Sequence, residues 1–340
     1  MRPRSTAIVF VLATALLAPS SVEAPAATQT AKKAAWGFAA DIHLMRDLGV
    51  GTFEIQVLWP DVASTRPANP TDPHDPAYHW PLSVVEAIDA AHANNMRVAI
   101  QLYGAPGWAN GGRGTQWLPL NLRDFSDFAI ATARRFPGVR LWMIWGEPSR
   151  PETLQPQRNA AQRYSQLLDG TYGALKGVSS SNLVIGGVTT PWSRPLRFIR
   201  NMRLPNRRRP RLDMYGHNPF TPRTPNLRAR ASPRDAADFS DLGRLASTVD
   251  RSLGSRRRRI RLFLSEWSVA TDRSDSEFNY FVTRAVQARF ISAALKIVRG
   301  WSRIYTLGWV HLYDVPGVTN GGLVDARGQP KPGYFAFRAG

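Results

Sequence analysis

The sequence contains no cysteine. Disulfides are therefore excluded, although exported proteins often use them. Thiolate metal sites and cysteine nucleophiles go with them. Histidine is scarce: six residues lie scattered along the chain, with no His-Glu-x-x-His or similar ligand spacing. No metal site and no cofactor is expected. Beyond the first residues, no apolar run is long enough to cross a bilayer. Acidic residues are few. Asp and Glu total 25 against 44 Lys and Arg, a formal net charge of +19.

What remains is ample material for a core. Of the 340 residues, 43% are apolar, enough for one large domain or two small ones and against disorder. The first residues read as an export signal. Arg2 and Arg4 give a positive start, Ala7 to Ala18 is mostly apolar, and Ala24-Pro25-Ala26 offers small residues for cleavage. We expect residues 1–26 to be removed, residues 27–35 to form a loose lead-in, and one domain to run from 36 to 340. The expected location is extracellular or at the cell surface, and the expected state is a monomer. The positive charge concentrates in two clusters: Arg207, Arg208, Arg209 and Arg211, and then Arg256 to Arg259 with Arg261. Solvated loops flanking barrel elements are the plain reading. Adhesion to acidic cell-surface polymers is the functional one. No nucleic acid partner is expected.

From Trp36 onward, short apolar runs alternate with longer helically spaced segments. The strands expected are Trp36–Ala40, Thr52–Leu58, Arg97–Tyr103, Val139–Trp145, Asn182–Gly187, Leu212–His217, Ile260–Glu266 and Ile304–His311. The clearer helices are Leu82–Asn94, Arg123–Arg135, Ala160–Lys176, Leu242–Leu253 and Glu277–Val298. Eight such units fit an α/β fold, a closed (β/α)8 TIM barrel in a single domain. An open doubly wound sheet is the competitor, but no Gly-rich phosphate fingerprint follows the first strand. Residues 104–122 and 218–238 read as long loops at the active face.

Two apolar runs end in a glutamate: Leu141-Trp142-Met143-Ile144-Trp145-Gly146-Glu147-Pro148 and Leu262-Phe263-Leu264-Ser265-Glu266-Trp267. An acid finishing so apolar a strand is poorly placed for solubility. At the C-terminal end of a barrel strand it points into the catalytic mouth. Strict alternation would put Leu141, Met143, Trp145 and Glu147 on one face, and Leu262, Leu264 and Glu266 on another. The spacing assigns the pair to strands four and seven. Such a pair can cleave a glycosidic bond, one carboxyl protonating the leaving oxygen and the other attacking the anomeric carbon or activating water. The bland alternative is that each glutamate caps a helix or pairs with an arginine.

At these residues the sequence resembles the clan A glycoside hydrolases, relatives of families 39 and 5 and of bacterial exopolysaccharide endoglycosidases. The resemblance runs from about residue 36 to 338. It rests on Leu48-Gly49-Val50 through Ile55 to Trp59, on Gly104 to Asn110, on Trp142 to Pro148, on Asp213 to Phe220, on Ser265-Glu266-Trp267, on Gly308-Trp309 and on Lys331 to Tyr334. It implies retention of anomeric configuration, with Glu147 as acid/base and Glu266 as nucleophile. It also implies a carbohydrate substrate. Tyr215 or His217 would hydrogen-bond Glu266. Two positions depart from the family: Gly146 stands where asparagine is usual, and Glu54 where arginine is usual. Asn218 is the candidate for the missing amide.

Trp59, Trp108, Trp145, Trp267 and Trp309 fall at or beyond expected strand ends. Flat indoles there suit sugar rings or, equally, packing between barrel and loops. The leading hypothesis is a secreted retaining β-glycosidase acting on an extracellular polysaccharide. A catalytically weak or inactive glycan-binding barrel and a basic surface-adhering protein are the rivals.

Overall fold

In the computed structural model, which describes residues 27–255 and 259–340, eight parallel strands close into a barrel in sequence order. Residues 1–26, the expected export signal, and 256–258, part of the second arginine cluster, lie outside the described residues. The strands are β1 Thr30–Trp36, β2 Val50–Leu58, β3 Arg97–Tyr103, β4 Leu141–Ile144, β5 Leu183–Thr189, β6 Met214–His217, β7 Arg261–Trp267 and β8 Ile304–Trp309. Eight longer helices form the outer ring: α1 Ile42–Asp47, α2 Leu82–Ala93, α3 Leu122–Arg135, α4 Ala160–Val178, α5 Pro195–Asn201, α6 Leu242–Ser252, α7 Arg284–Gly300 and α8 Pro332–Ala339. This is the (β/α)8 barrel the alternation implied.

Local chemistry explains the elements. On β2, Phe53, Ile55 and Val57 join the core beneath the helices. Glu54 instead meets Ser265 of β7, a strand that is not its neighbour, so the contact crosses the barrel interior. That interior is lined by Trp36, Ala99, Leu141, Met143, Ile185 and Phe263. Asn121 starts α3 by accepting a hydrogen bond from the Arg123 N–H at 3.1 Å. Phe125, Phe128, Ala129 and Thr132 then recur at helical spacing on its buried face. Burying each phenylalanine contributes about 1.5–3 kcal/mol.

Two boundaries differ from expectation. The first strand is Thr30–Trp36, not Trp36–Ala40. The small and polar residues read as a lead-in pair with both neighbours, Ala34 with Thr52 and Gly308. Lys33 is buried there, its Nζ donating to the carbonyls of Leu48 and Arg338. The seventh helix begins at Arg284, not Glu277. The Asp275 carboxylate accepts from the backbone N–H groups of Glu277 and Phe278, fixing a turn before the helix.

Parallel strands give the barrel two distinct poles. The loops at 104–121 and 218–238 leave the C-terminal ends of β3 and β6 and so border the mouth. The described members of the arginine clusters lie at the opposite pole, where Arg207–Arg211 lead into β6 and Arg259 and Arg261 into β7.

Candidate active site

The end of β4 is bent by its backbone. Trp145 and Glu147 adopt positive φ values of 65° and 46°, and Val188 across on β5 has 45°. These are strained conformations for non-glycine residues, above all for a β-branched one. The Glu147 N–H donates to the Val188 carbonyl at 3.1 Å, locking the two bends together. Thr153 Oγ1 donates to the Glu147 carbonyl at 2.6 Å. Trp145 Nε1 and Tyr103 Oη both donate to the Thr153 carbonyl.

β7 uses another device. Its pairing with β8 shifts between Leu264 and Trp267. Leu262, Leu264 and Trp267 pack under the helices, while Ser265 turns inward to Glu54 at 2.7 Å. The expected face of Leu262, Leu264 and Glu266 is therefore incorrect. The irregularity breaks the alternation, and it re-aims the glutamate as β-bulges do. A similar correction applies to β4: Trp145 joins the outer core with Trp142, while Leu141 and Met143 face inward.

Glu147 and Glu266 meet at Asn218, just beyond β6. Asn218 Nδ2 donates to Glu147 Oε1 at 3.1 Å, and the same amide lies near enough to Glu266 to favour its charged form. Both carboxyls are buried. Burial pushes the Glu266 carboxyl well above the usual carboxylate range, and the charges of Glu147 and Glu277 add to this. Arg150 and Asn218 oppose the rise. Arg150 Nη1 sits 2.5 Å from Glu147 Oε2, and its Nε lies 3.5 Å from Glu152. Glu277 pairs with His311 Nε2 at 2.7 Å.

Beneath this pair lies a third carboxyl. Glu54 is fully buried, and burial holds it well above the ordinary value of 4.5. A protonated, neutral acid is the form such a site accepts. Gln56 Nε2 donates to Gln101 Oε1 at 2.6 Å. Gln101 also explains Gly146: a Cβ there would stand 3.0 Å from Gln101 Oε1. An amide from β3 thus fills the space beside the position where the family carries asparagine. Several buried atoms around the carboxyls have no hydrogen-bond partner in the protein: Glu54 Oε1, Glu266 Oε2, Gln101 Nε2 and Asn218 Oδ1.

The other expected ligand contacts need correction. Trp59, Trp145, Trp267 and Trp309 are buried and offer no face to a ligand. Trp59 stacks on Phe128, Trp267 meets Trp309 edge to face, and Trp309 Nε1 donates to the His311 carbonyl. Trp108 is half-buried, with its ring under the Arg66 guanidinium at 4.4 Å. Tyr215 and His217 do not hydrogen-bond Glu266. Both reach Thr189 Oγ1, and His217 Nε2 donates to the Ala237 carbonyl at 2.9 Å. That carbonyl can only accept, so Nδ1 accepts from Thr189. Burial lowers the imidazole to about 4. His217 is a neutral post that fixes β6 and so positions Asn218. The tryptophan that is exposed at the mouth is Trp192, in the loop after β5. Composition gave no reason to single it out, but its place after an apolar strand could have. Gln101, Gln56, Arg150 and Glu277 were also missed, because each acts through a partner distant in sequence.

No protein-family model matches the sequence, and no curated protein matches it. Solved structures do match in shape. A family 39 glycoside hydrolase from Bacteroides cellulosilyticus WH2 superposes with a TM-score of 0.65 at 16% identity, over 92% of this chain and 63% of that one. The chain has the barrel fold of these hydrolases. A family 39 β-xylosidase from Caulobacter crescentus gives 0.64 at 16% identity, covering 93% and 72%. Xylanase B from Clostridium stercorarium F9 gives 0.60 at 12% identity, covering 91% and 96%. The chain spans less than two thirds of the length of the family 39 hydrolase from Bacteroides.

Proposed function

We propose that the protein is a secreted retaining glycoside hydrolase that cleaves β-glycosidic bonds of an extracellular polysaccharide. The observation that carries this reading is the convergence of two buried carboxyls, from β4 and β7, on one amide. The partnerless polar atoms around them suit a polyol, whose hydroxyls both donate and accept. In the first step Glu266 bonds to the anomeric carbon while the bond to the leaving oxygen breaks and takes the Glu147 proton. Water then cleaves the glycosyl ester as Glu147 accepts its proton. The export-like leader, the shape likeness to glycosidases and the exposed Trp192 support this reading.

Arg150 Nη1 pairs with Glu147 Oε2 in the resting site. The first step needs a proton on Glu147, so Arg150 must withdraw as the leaving oxygen arrives. That ion pair, with Glu54 in place of an arginine, is what favours the second reading, a barrel that binds glycan without cleaving it. A panel of aryl β-glycosides and β-linked polysaccharides separates the two. Turnover by wild type that Glu266→Ala abolishes supports the enzyme. Binding without product from any member supports the second reading.

A further inference from the structure

The positive charge of this protein is segregated. The connections that return the chain to the N-terminal ends of the strands carry Arg97, Arg140, Arg211, Arg261 and Arg303 at or beside strand starts. Arg207, Arg208, Arg209, Arg251 and Arg259 are exposed on the same pole. The mouth loops, by contrast, interleave both signs, as in the Arg223 pairs with Asp238 and Asp241.

Like charges crowd each other at this basal pole. Arg97 donates to Tyr305 Oη at 2.7 Å, and Arg261 lies 4.7 Å over the same ring. Lys32 sits close enough to Arg261 to feel its repulsion, and Lys33 is likewise repelled by Arg299 and Arg338. Self-repulsion of this kind destabilises a compact chain and is relieved by a bound anion. The pole also shows the geometry it favours. Arg303 grips Asp250 through both Nη atoms at 2.8 and 2.9 Å. Arg211 grips Asp169 through Nε and Nη2, both at 2.8 Å. These are two-pronged guanidinium–carboxylate contacts, which arginine makes and lysine cannot.

We infer that the basal pole of the barrel is a docking surface for a carboxylate-bearing polysaccharide. Among the described residues, the large exposed apolar ones are Leu82, Leu120, Trp192, Leu227, Phe281 and Phe335, and none of them lies in a connection that enters a strand. The described residues of the pole therefore present neither the exposed apolar wedge that an interfacial membrane anchor uses nor the exposed aromatic platform on which single-stranded nucleic acid stacks. Docking there leaves the mouth facing away from the polymer, free to take a substrate. The inference does not depend on what the mouth cleaves.

The test uses the full exported chain and a variant carrying Arg207→Glu, Arg208→Glu, Arg209→Glu and Arg259→Glu. Immobilised polygalacturonate is the probe, with a neutral polysaccharide, double-stranded DNA and phosphatidylglycerol vesicles alongside. We expect wild type to bind polygalacturonate at low salt and to lose at least about tenfold in affinity between 50 and 200 mM salt, as counterion release dictates. The variant should bind at least about tenfold more weakly at low salt, with an unchanged melting temperature. Three results would overturn the inference: no wild-type binding to polygalacturonate, binding that the four substitutions leave intact, or tighter binding to DNA or vesicles at the same salt. A wild type that docks but cleaves no glycoside would sink the enzyme reading and leave this one standing.

Discussion

At the scale of single residues, the site is governed by where protons rest. Glu54 has a folded pKa raised by burial. Its folded form therefore holds a proton that the unfolded chain gives up above the ordinary value of 4.5. The stability this proton represents is present at low pH and is lost as pH rises through the folded value. Glu54→Gln keeps the shape and removes the titration. Its melting temperature relative to wild type should climb from pH 5 to pH 8, and a constant difference would show that Glu54 is ionised in the fold. Arg150 acts in the opposite sense, because its cation favours the charged form of Glu266. In Arg150→Met the limb of the pH–rate profile set by Glu266 should move to higher pH, since that carboxyl then gives up its proton less readily. A limb that moves down would place Arg150 elsewhere in catalysis. Trp192→Ala should raise KM roughly two- to tenfold with kcat unchanged, given about 0.5–1.5 kcal/mol for an aromatic contact. A fall in kcat alone would remove Trp192 from binding.

At the scale of elements, two irregular strand ends, of β4 and β7, aim the glutamates. Alternating apolar residues made the barrel and its strand order legible, and an acid after each apolar run located both glutamates. The faces were not legible, because regular alternation fails at Trp145 and again between Ser265 and Trp267. Positive φ and a pairing shift leave no mark in residue type. The tryptophans misled for a related reason: an indole at a strand end fits the barrel–helix seam as well as a sugar, and buried area favours the seam. Tyr215 and His217 alternate with Met214, so both face outward while Asn218 turns to the carboxyls. The close approach of β7 and β8 is testable. A Cβ on Gly308 would lie 1.9 Å from the Ser265 carbonyl oxygen and 2.5 Å from Glu54 Oε1. Gly308→Ala must push the strands apart, and should cost more than about 3 kcal/mol in a thermal melt. A near-silent substitution would mean that this seam is looser than described.

At the scale of the whole molecule, the two poles differ in chemistry. The mouth gathers carboxyls, amides and one exposed indole, and the base gathers arginine. The sequence displayed both inventories, but only a closed barrel could assign them to opposite ends. The central claim concerns the mouth, that Glu147 and Glu266 act as acid/base and nucleophile with retention. Its most direct test is the product formed by Glu147→Ala from an activated aryl β-glycoside in the presence of azide. Without its acid/base the variant still forms the glycosyl ester, because such a leaving group needs little protonation. Azide, which needs no deprotonation, then attacks the face that water would have used. We predict a faster reaction with azide and a β-glycosyl azide by NMR. An α-azide, or a Glu266→Ala variant that turns over the same substrate as wild type does, would contradict the account.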